Sequence, residues 1–284
     1  MKIQWYPGHI AKAERQLKDQ LKLVDVILEV RDARIPLSTY HPNMPEWIGN
    51  KGRVLIINRQ DMIPPELIKM WRDWFKQRGE NVYFANAQQG EGISNIIKAA
   101  QKAGEAMNKK RTDRGMLTRP VRAVVIGFPN VGKSALINRL LKKRVAESAR
   151  KAGVTKSLRW FRMSETIELL DAPGVIPNRM TDQEDAIKLA ICEDIGEASY
   201  DFQEIAIEFI ELLQYLTATS DGLVTCKSLI DRYGLDPEAF TGVDYITELA
   251  KVIDQANTQR TARRIIDDFR KGLLGKIPLE LPPL

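Results

Sequence analysis

The stretch "VRAVVIGFPNVGKSALINRLLKK", residues 121–143, indicates the fold class because it joins an apolar run, a glycine-rich turn and a helical pattern. The run at 121–126 is typical of a buried strand. "GFPNVGKS", residues 127–134, fits G-x-x-x-x-G-K-[ST], in which glycines let backbone N–H groups point at phosphate oxygens. The helix that follows adds its positive N-terminal end. The stretch therefore predicts a phosphate-binding loop in an α/β domain, a context that an accidental glycine-rich turn would lack.

Single residues of this loop have predicted roles. Lys133 should reach the β- and γ-phosphates, and the Ser134 hydroxyl should bind Mg²⁺. The nucleotide-binding positions of the loop are Asn130, Val131, Gly132, Lys133, Ser134 and Ala135. The loop alone does not separate ATP from GTP.

Two later elements favour GTP. In "LLDAPG", residues 169–174, Asp171 ends a predicted strand and can hold Mg²⁺ through water. Gly174 can offer its N–H to the γ-phosphate, as in the D-x-x-G element of GTPases. The second element is "KAGVTKS", which lies between the phosphate loop and "LLDAPG". Its Thr155 is placed to close over Mg²⁺ when the γ-phosphate is present.

The guanine reader is expected in front of the phosphate loop. No Asn-Lys-x-Asp follows "DAPG", and "NRQD", residues 58–61, is the candidate. Asp61 could accept hydrogen bonds from the N1–H and 2-amino groups of guanine, which adenine cannot offer together. Asn58 would brace the loop. Arg59 replaces the usual lysine, and its guanidinium plane could stack over the base.

A base lid follows the next predicted strand, "NVYFAN", at 81–86. At Asn86 and Ala87 the chain enters "NAQQG", where the backbone N–H of Ala87 or its neighbour could meet guanine O6. The order is then base reader, base lid, phosphate loop and two switches. This is a circular permutation of the usual GTPase order, which a parallel sheet tolerates because spatial neighbours need not be sequence neighbours.

The pattern of apolar residues changes near residue 178. Before it, near-continuous Val/Ile/Leu runs alternate with helical patterns, which predicts a mainly parallel sheet covered on both faces. The predicted strands are 24–30, 53–58, 81–86, 121–128 and 165–172. The basic stretch 108–120 is interpreted as a linker. We therefore expect a P-loop GTPase domain at 1–177.

Residues 178–284 predict an all-α C-terminal domain. Four stretches, 181–195, 201–218, 243–257 and 259–275, show apolar positions at three- and four-residue spacing. "TDQE", at the start of the first stretch, has a capping-box pattern. Gly272 and Gly275 stand where the last helix would end.

Charge divides the chain in the same way. Lys and Arg number 32 against 17 Asp and Glu in residues 1–177, a balance of +15, and 11 against 20 in the remainder, a balance of −9. A phosphate backbone is a plausible partner for the first half. A merely basic domain without a nucleic-acid partner is the alternative.

Several classes are disfavoured. No apolar run approaches the ~18 residues of a membrane-spanning helix, and the N-terminus lacks the apolar core of a secretory signal. Cys192 and Cys226 form no metal-ligand or redox spacing, so we expect buried thiols in the reducing cytoplasm.

The chain resembles the circularly permuted GTPases and, within them, the ribosome biogenesis GTPase A family. The resemblance rests on "WYPGHIAKA", "DVILEVRDARIP", "NRQD", "GFPNVGKSALIN", "GVTKS" and "LLDAPGVI". Departures are Arg59 for lysine, Ala152 where the switch often has proline, and "ANA" in the lid. The resemblance implies GTP hydrolysis coupled to late assembly of the large ribosomal subunit through contact with ribosomal RNA. GTP or GDP and Mg²⁺ would be the ligands of a monomer with no membrane partner.

The resemblance also bears on catalysis. Val175 stands where many GTPases place a water-orienting glutamine, and the family marks the histidine of "PGH", His9, as its substitute. A capping or packing role for His9 is the alternative. Asn130 matches the asparagine of potassium-dependent GTPases and could hold K⁺. A GTP-regulated RNA-binding switch with little turnover is the second functional hypothesis. Arg260, Arg263 and Arg264 form a cluster that either touches RNA or is a solvated helix face.

Overall fold

The computed structural model of the chain describes residues 15, 17–142, 160–163, 165–171 and 182–283. These residues divide into two compact units. Residues 182–283 group with 61–71 in one unit, called the helical unit below, and the other described residues form the α/β unit. The predicted domain boundary at residues 177 and 178 lies outside the described residues and stays a prediction.

A mainly parallel sheet forms the centre of the α/β unit. Its described strands are β1 Val26–Asp32, β2 Gly52–Asn58, β3 Val82–Phe84, β4 Val121–Gly127, β5 Trp160–Arg162 and β6 Ile167–Asp171. They lie in the order β3-β2-β1-β4-β6-β5, and every neighbouring pair except β5 with β6 is parallel. This confirms the fold class predicted from the alternating apolar and helical patterns.

Burial explains why the central strands could be predicted. All seven residues of β1 are buried, and β1 lies between β2 and β4. A strand buried on both faces is mostly apolar without alternation. The exceptions in β1 are Glu29, Arg31 and Asp32, whose charges lie in buried ion pairs. The edge strand β5 was not predicted, because "WFR" is too short and too exposed to show a periodic pattern.

Helices cover both faces of this sheet. The helices are α1 Met44–Ile48, α2 Pro65–Gln77, α3 Ile93–Thr112 and α4 Lys133–Leu140. Because residues 65–71 of α2 belong to the helical unit, the cover of the sheet is described from α1, α3 and α4. α3 packs against β1, β2 and β4. On the opposite face, Leu17 and Trp47 join Ile27, Val124 and other residues in a buried cluster. The predicted linker at 108–120 is wrong in its first part, since α3 continues to Thr112.

The helical unit is built from α5 Gln183–Ile191, α6 Phe202–Thr219, α7 Lys227–Tyr233, α8 Gly242–Ile253 and α9 Thr258–Arg270. α6 packs against α5, α8 and α9. Asp182 is the N-cap of α5, with its carboxylate accepting from the Glu184 N–H at 2.8 Å. The short helix α7 was not predicted, but the glycines after α9 were placed correctly, with Gly272 at φ 73°.

The arginines at the start of α9 are engaged by carboxylates of the helical unit. Arg260 Nε lies 3.1 Å and Arg264 Nη2 lies 2.7 Å from Asp254 Oδ1. Arg263 Nη2 lies 3.2 Å from Glu197 Oε2. The positive charges are therefore matched by a nearly buried aspartate and a surface glutamate, while the arginine side chains remain exposed. Both interpretations of the cluster, RNA contact and a solvated helix face, stay predictions.

Two further expectations concern the cysteines and membranes. Cys192 and Cys226 are both buried, and neither forms a disulfide bond with a described residue. Within the described ranges, no helix is both long enough and apolar enough to cross a membrane.

Candidate nucleotide-binding site

The carboxyl ends of β1, β2, β4 and β6 meet at one edge of the sheet. From β1 the order continues through β2 to β3 on one side, and through β4 to β6 on the other. Ligands of open parallel sheets bind at such a switch point, where neighbouring strands are followed by connections that leave in opposite directions. The phosphate loop follows β4 and the base reader follows β2, so β1 stands between the two.

The phosphate loop is tightly folded between β4 and α4. Its left-handed residues are Asn130 at φ 58° and Gly132 at φ 95°. A Cβ at Gly132 would collide with the Asn58 side chain. Lys133 is 8% exposed, and its Nζ donates to the carbonyl oxygen of Phe128 at 2.5 Å. The lysine predicted to reach phosphate is thus folded over its own loop.

The residues expected to hold Mg²⁺ are only partly described. Ser134 and Ala135 lie in the first turn of α4. β6 ends at Asp171, whose backbone pairs with Val125 of β4 at the same edge of the sheet. A serine hydroxyl and an aspartate are oxygen donors, which is the chemistry that Mg²⁺ prefers. The donor set fits the ion, which would supply positive charge beside the phosphates.

Asn58 connects three parts of the site. Its Nδ2 donates to the carbonyl oxygen of Val131 at 2.9 Å, and its Oδ1 accepts from the Ala87 N–H at 3.0 Å. The side chain is 3% exposed. It therefore braces the base reader against both the phosphate loop and the lid.

Arg59 adds a second connection to the phosphate loop. It has a left-handed backbone at φ 63°, and its Nη2 donates to the carbonyl oxygen of Asn130 at 2.6 Å. Its Nε lies 3.4 Å from Asp32 Oδ2 at the end of β1. The guanidinium is thus held by the phosphate loop and by Asp32.

Asp32 is fully buried and forms a forked ion pair with Arg34. Arg34 Nε and Nη2 donate to its two carboxylate oxygens at 3.0 and 2.8 Å. Burial alone would raise the pKa of Asp32, but the charges of Arg34 and Arg59 and the hydrogen bonds from Arg34 lower that pKa below its ordinary value. Asp32 is therefore an ionised anchor for Arg59.

Asp61 lies in a short 3-10 turn, Gln60–Met62, directly after the base reader strand. Its side chain is exposed and forms no hydrogen bond or ion pair with any described residue. Its carboxylate oxygens are therefore available as acceptors for a base.

The base lid is the loop between β3 and α3. Asn86 is 3% exposed, and its Oδ1 accepts from the N–H groups of Gln88 and Gln89 at 3.0 and 3.1 Å. Because the Ala87 N–H is bonded to Asn58, a guanine oxygen would have to share or replace that bond. From α4, Arg139 donates to the carbonyl oxygens of Ala87 and Gln88.

Comparisons with known proteins agree with this arrangement. Residues 122–218 match the family model described as "50S ribosome-binding GTPase". The solved structure titled "Crystal structure of GNP-bound YlqF from T. maritima" has a TM-score of 0.67 and 22% identity, covering 95% of this chain and 98% of that chain. That likeness shows a shared fold.

Sequence relatives decide the family. Ribosome biogenesis GTPase A of Bacillus pumilus is 36% identical over 295 residues, with 99% of both chains covered. The chain belongs to the ribosome biogenesis GTPase A family. The protein of that name from Bacillus cereus is 33% identical over 291 residues, covering 99% of this chain and 95% of that protein. Mitochondrial ribosome-associated GTPase 1 of Xenopus tropicalis is 31% identical over 295 residues, covering 97% and 94%.

Membership makes the chain a P-loop GTP hydrolase of ribosome biogenesis that binds guanine nucleotides. The structure brings together the predicted residues Asn58, Arg59, Asn86, Ala87 and the phosphate loop from Asn130 to Ala135. His9, Thr155 and Gly174 lie outside the described residues, as does the side chain of Asp171.

Three residues that contact other parts of the site were not singled out from the sequence. Asp32 and Arg34 stood in the sequence only as part of "DVILEVRDARIP", and Arg139 only as part of a helix. The signal for the pair is two opposite charges at the end of a buried strand, where an unpaired charge would be costly. Arg139 contacts a loop 52 residues away, and no local pattern indicates that.

Proposed function

We propose that the protein binds the large ribosomal subunit or its precursor and couples GTP hydrolysis to late subunit assembly and to its own release. The proposal goes beyond family membership in naming the subunit, the assembly step and the order of events. It is carried by a surface of the α/β unit that is suited to RNA.

This surface, called the α3 surface, comprises residues 98–117. It holds six Lys or Arg against two Asp or Glu, a balance of +4. None of Lys98, Lys102, Lys109, Lys110 and Arg114 forms an ion pair with a described carboxylate, and all five are exposed. Beside them Leu117 is 87% exposed. Cations free of carboxylate partners are the groups that exchange their counterions for backbone phosphates.

The α9 arginines support the same choice by contrast. Asp254 engages Arg260 and Arg264, and Glu197 engages Arg263. A cation already paired with a carboxylate gains less from a phosphate, because the first pair must be given up. RNA contact is therefore assigned to the α3 surface.

Sedimentation with purified large subunits tests the proposal. With a GTP analogue the protein should co-sediment, and with GDP it should stay in the supernatant. Changing Lys98, Lys102, Lys109 and Lys110 to Gln should weaken binding and reduce the slope of log K against log salt by roughly 3–4. The matched control changes four exposed lysines of the helical unit, Lys227, Lys251, Lys271 and Lys276. Equal binding in both nucleotide states would contradict the proposed cycle.

The chain connects the γ-phosphate site directly with the helical unit, which would make subunit binding depend on the nucleotide. Gly174 follows β6 by three residues, and residues 172–181 connect β6 with the helical unit. Binding of the Gly174 N–H to the γ-phosphate would order this connection. Thr155 and Asp171 would complete the Mg²⁺ site with Ser134, and Asp61 with the lid would select guanine.

His9 is proposed to position the attacking water, because Val175 cannot hydrogen-bond to it. Changing His9 to Ala should abolish subunit-stimulated hydrolysis while GTP binding stays near that of the unchanged protein. Unchanged stimulated turnover would remove His9 from catalysis and favour the capping role.

Potassium is proposed as a further ligand at Asn130. Removing an equivalent positive group in other GTPases costs roughly 10³–10⁵ in rate, so some replacement is needed. Turnover should fall when Na⁺ replaces K⁺ at constant ionic strength. The same rate in both salts would contradict a potassium site.

We expect the protein to act in the cytoplasm as a monomer. The alternative to the proposed cycle is a GTP-regulated RNA-binding switch with little turnover. Val175 is the residue that favours it. This alternative would be supported over the proposed cycle if the affinity for subunits changed with the bound nucleotide while added subunits left the hydrolysis rate of the protein unaltered.

A further inference from the structure

Backbone hydrogen bonds within the base lid join its two ends to each other, independently of its contacts with other elements. The Asn86 N–H donates to the Glu91 carbonyl oxygen at 3.1 Å, and the Glu91 N–H donates to the Asn86 carbonyl oxygen at 3.1 Å. Gly90 N–H donates to the Asn86 carbonyl oxygen at 2.8 Å. Residues 86–91 therefore form a compact loop that can be held as one piece.

Two peptide groups of this loop are gripped on both edges. Asn86 Oδ1 accepts from the N–H groups of Gln88 and Gln89. Arg139 Nε donates to the Ala87 carbonyl oxygen at 3.2 Å, and its Nη2 donates to the Gln88 carbonyl oxygen. A trans peptide directs its N–H and its C=O to opposite sides. Asn86 and Arg139 thus hold the same peptide groups from opposite edges.

Arg139 has no competing carboxylate partner among the described residues. Its side chain runs past Gly90, where a Cβ would lie 3.4 Å from Arg139 Cδ. Gly90 has φ 90°, a backbone that disfavours side chains. A Cβ at that distance would make an ordinary contact, so the backbone conformation and not the approach of Arg139 favours glycine at position 90.

α4 is the helix that begins at Lys133 in the phosphate loop. Arg139 lies in its last turn, so one helix carries the phosphate-binding lysine at its start and the lid contact at its end. A guanidinium offers a rigid fork of donors that fits two neighbouring carbonyl oxygens, whereas an ammonium is a single point.

We propose that Arg139 is a positioning residue that sets guanine specificity by fixing the lid. It grips the carbonyl edge of the lid and so fixes the position of the Ala87 N–H, which guanine O6 would share with Asn58 Oδ1. Arg139 itself does not touch the base. The inference rests on the proposed role of the lid in binding O6.

Comparing the binding of three nucleotides distinguishes the contact at position 6 of the base from the contact at its 2-amino group. GDP offers every contact, and 6-thio-GDP keeps N1–H and the 2-amino group but has a weak sulfur acceptor at position 6. IDP keeps O6 and N1–H but lacks the 2-amino group that Asp61 would bind. Dissociation constants for all three are measured by calorimetry on the nucleotide-free, full-length protein.

Changing Arg139 to Met should weaken GDP binding about tenfold, which corresponds to about 1.4 kcal/mol. Binding of 6-thio-GDP should weaken less, so the preference for GDP over 6-thio-GDP shrinks, while the preference for GDP over IDP stays unchanged. Changing Arg139 to Lys should restore part of the lost preference. The control is Arg78→Met, which removes a guanidinium that lies over Trp74 at 3.6 Å in the same unit.

Equal weakening of all three nucleotides, or no weakening, would overturn the inference. A fall in the melting temperature of Arg139→Met without nucleotide, together with equal weakening, would assign the residue to stability alone. Wild-type protein that binds ADP as well as GDP would instead contradict the proposed guanine reader, which is a distinguishable result.

Discussion

Asn58 and Val131 are 73 residues apart in the chain, yet Asn58 Nδ2 donates to the Val131 carbonyl oxygen at 2.9 Å. The next residue, Arg59, donates to the carbonyl oxygen of Asn130. Two consecutive residues of the base reader thus bind two consecutive carbonyl groups of the phosphate loop. The two halves of the nucleotide site are thus joined by hydrogen bonds of the protein itself.

Replacing Asn58 with Ala should destabilise the protein and weaken GDP binding together. The Val131 carbonyl and the Ala87 N–H would both lose their partner in a buried environment. Leaving such groups unsatisfied costs about 1–3 kcal/mol. Urea denaturation without nucleotide measures the first effect and calorimetry the second. The matched control is the exposed Asn81→Ala, which should change neither, and a stable Asn58→Ala would disprove the bracing role.

Replacing Gly132 with Ala should cost more than the same change at Gly79. Both glycines have positive φ, 95° and 74°, so both variants carry backbone strain. A Cβ at Gly132 also collides with the Asn58 side chain, while nothing lies within 4 Å of one at Gly79. We expect Gly79→Ala to lose about 1 kcal/mol and Gly132→Ala to lose more and to bind GDP poorly. Equal losses of unfolding free energy would contradict the collision.

Replacing Asp32 with Asn should destabilise the protein in a pH-dependent way. The folded-state pKa of Asp32 is lowered, whereas an aspartate in an unfolded chain has a pKa of about 3.9. Ionised Asp32 therefore contributes stability that is complete above about pH 4 and is lost as the pH falls through the folded-state pKa. Asp32→Asn leaves Arg34 buried without its carboxylate, so we expect a deficit of about 3–5 kcal/mol at pH 7.

That deficit should shrink as the pH falls below 4, because the wild-type protein then loses the same ion pair. Urea titrations from pH 7 to pH 3 measure it. The exposed Asp73→Asn serves as the control and should differ little from wild type throughout. A deficit for Asp32→Asn that stays constant over the whole range would rule out a titrating anchor.

Replacing Asp254 with Ala should destabilise the helical unit. Its carboxylate, 1% exposed, accepts from Thr261 Oγ1 at 3.0 Å and engages Arg264 and Arg260. The arginines are exposed, so their release costs little, and the loss of the buried hydrogen bonds should account for about 1–3 kcal/mol. Thermal unfolding followed by circular dichroism measures it. Asp231→Asn, on the exposed face of α7, should leave the transition unchanged, and an equally stable Asp254→Ala would disprove the anchor.

Sequence patterns predicted the parts of the fold that depend on local composition. The buried runs of β1, β2 and β4 and the glycine-rich loop could be predicted because strand burial and phosphate binding each require those residues at those places. Strand β5 escaped prediction because three residues carry no period.

Contacts between distant residues could not be predicted. Glu29 lies inside the apolar run of β1, and its partner Arg53 approaches to 2.7 Å from the neighbouring strand only once the sheet has formed. Arg139 and the lid are joined in the same way. The type of each site residue could be predicted, whereas the residues that hold it in place depend on tertiary structure.

The position of β1 has a consequence for the dimensions of the site. Strands β2 and β4 are each hydrogen-bonded to β1, so the ends of the base-reading and phosphate-binding strands are two inter-strand spacings apart, about 9.5 Å. β1 therefore sets a fixed distance between the strand whose end would bind the base of a nucleotide and the strand whose end would bind its phosphates. Permutation changes the order in which the chain visits the two strands but leaves that distance unchanged.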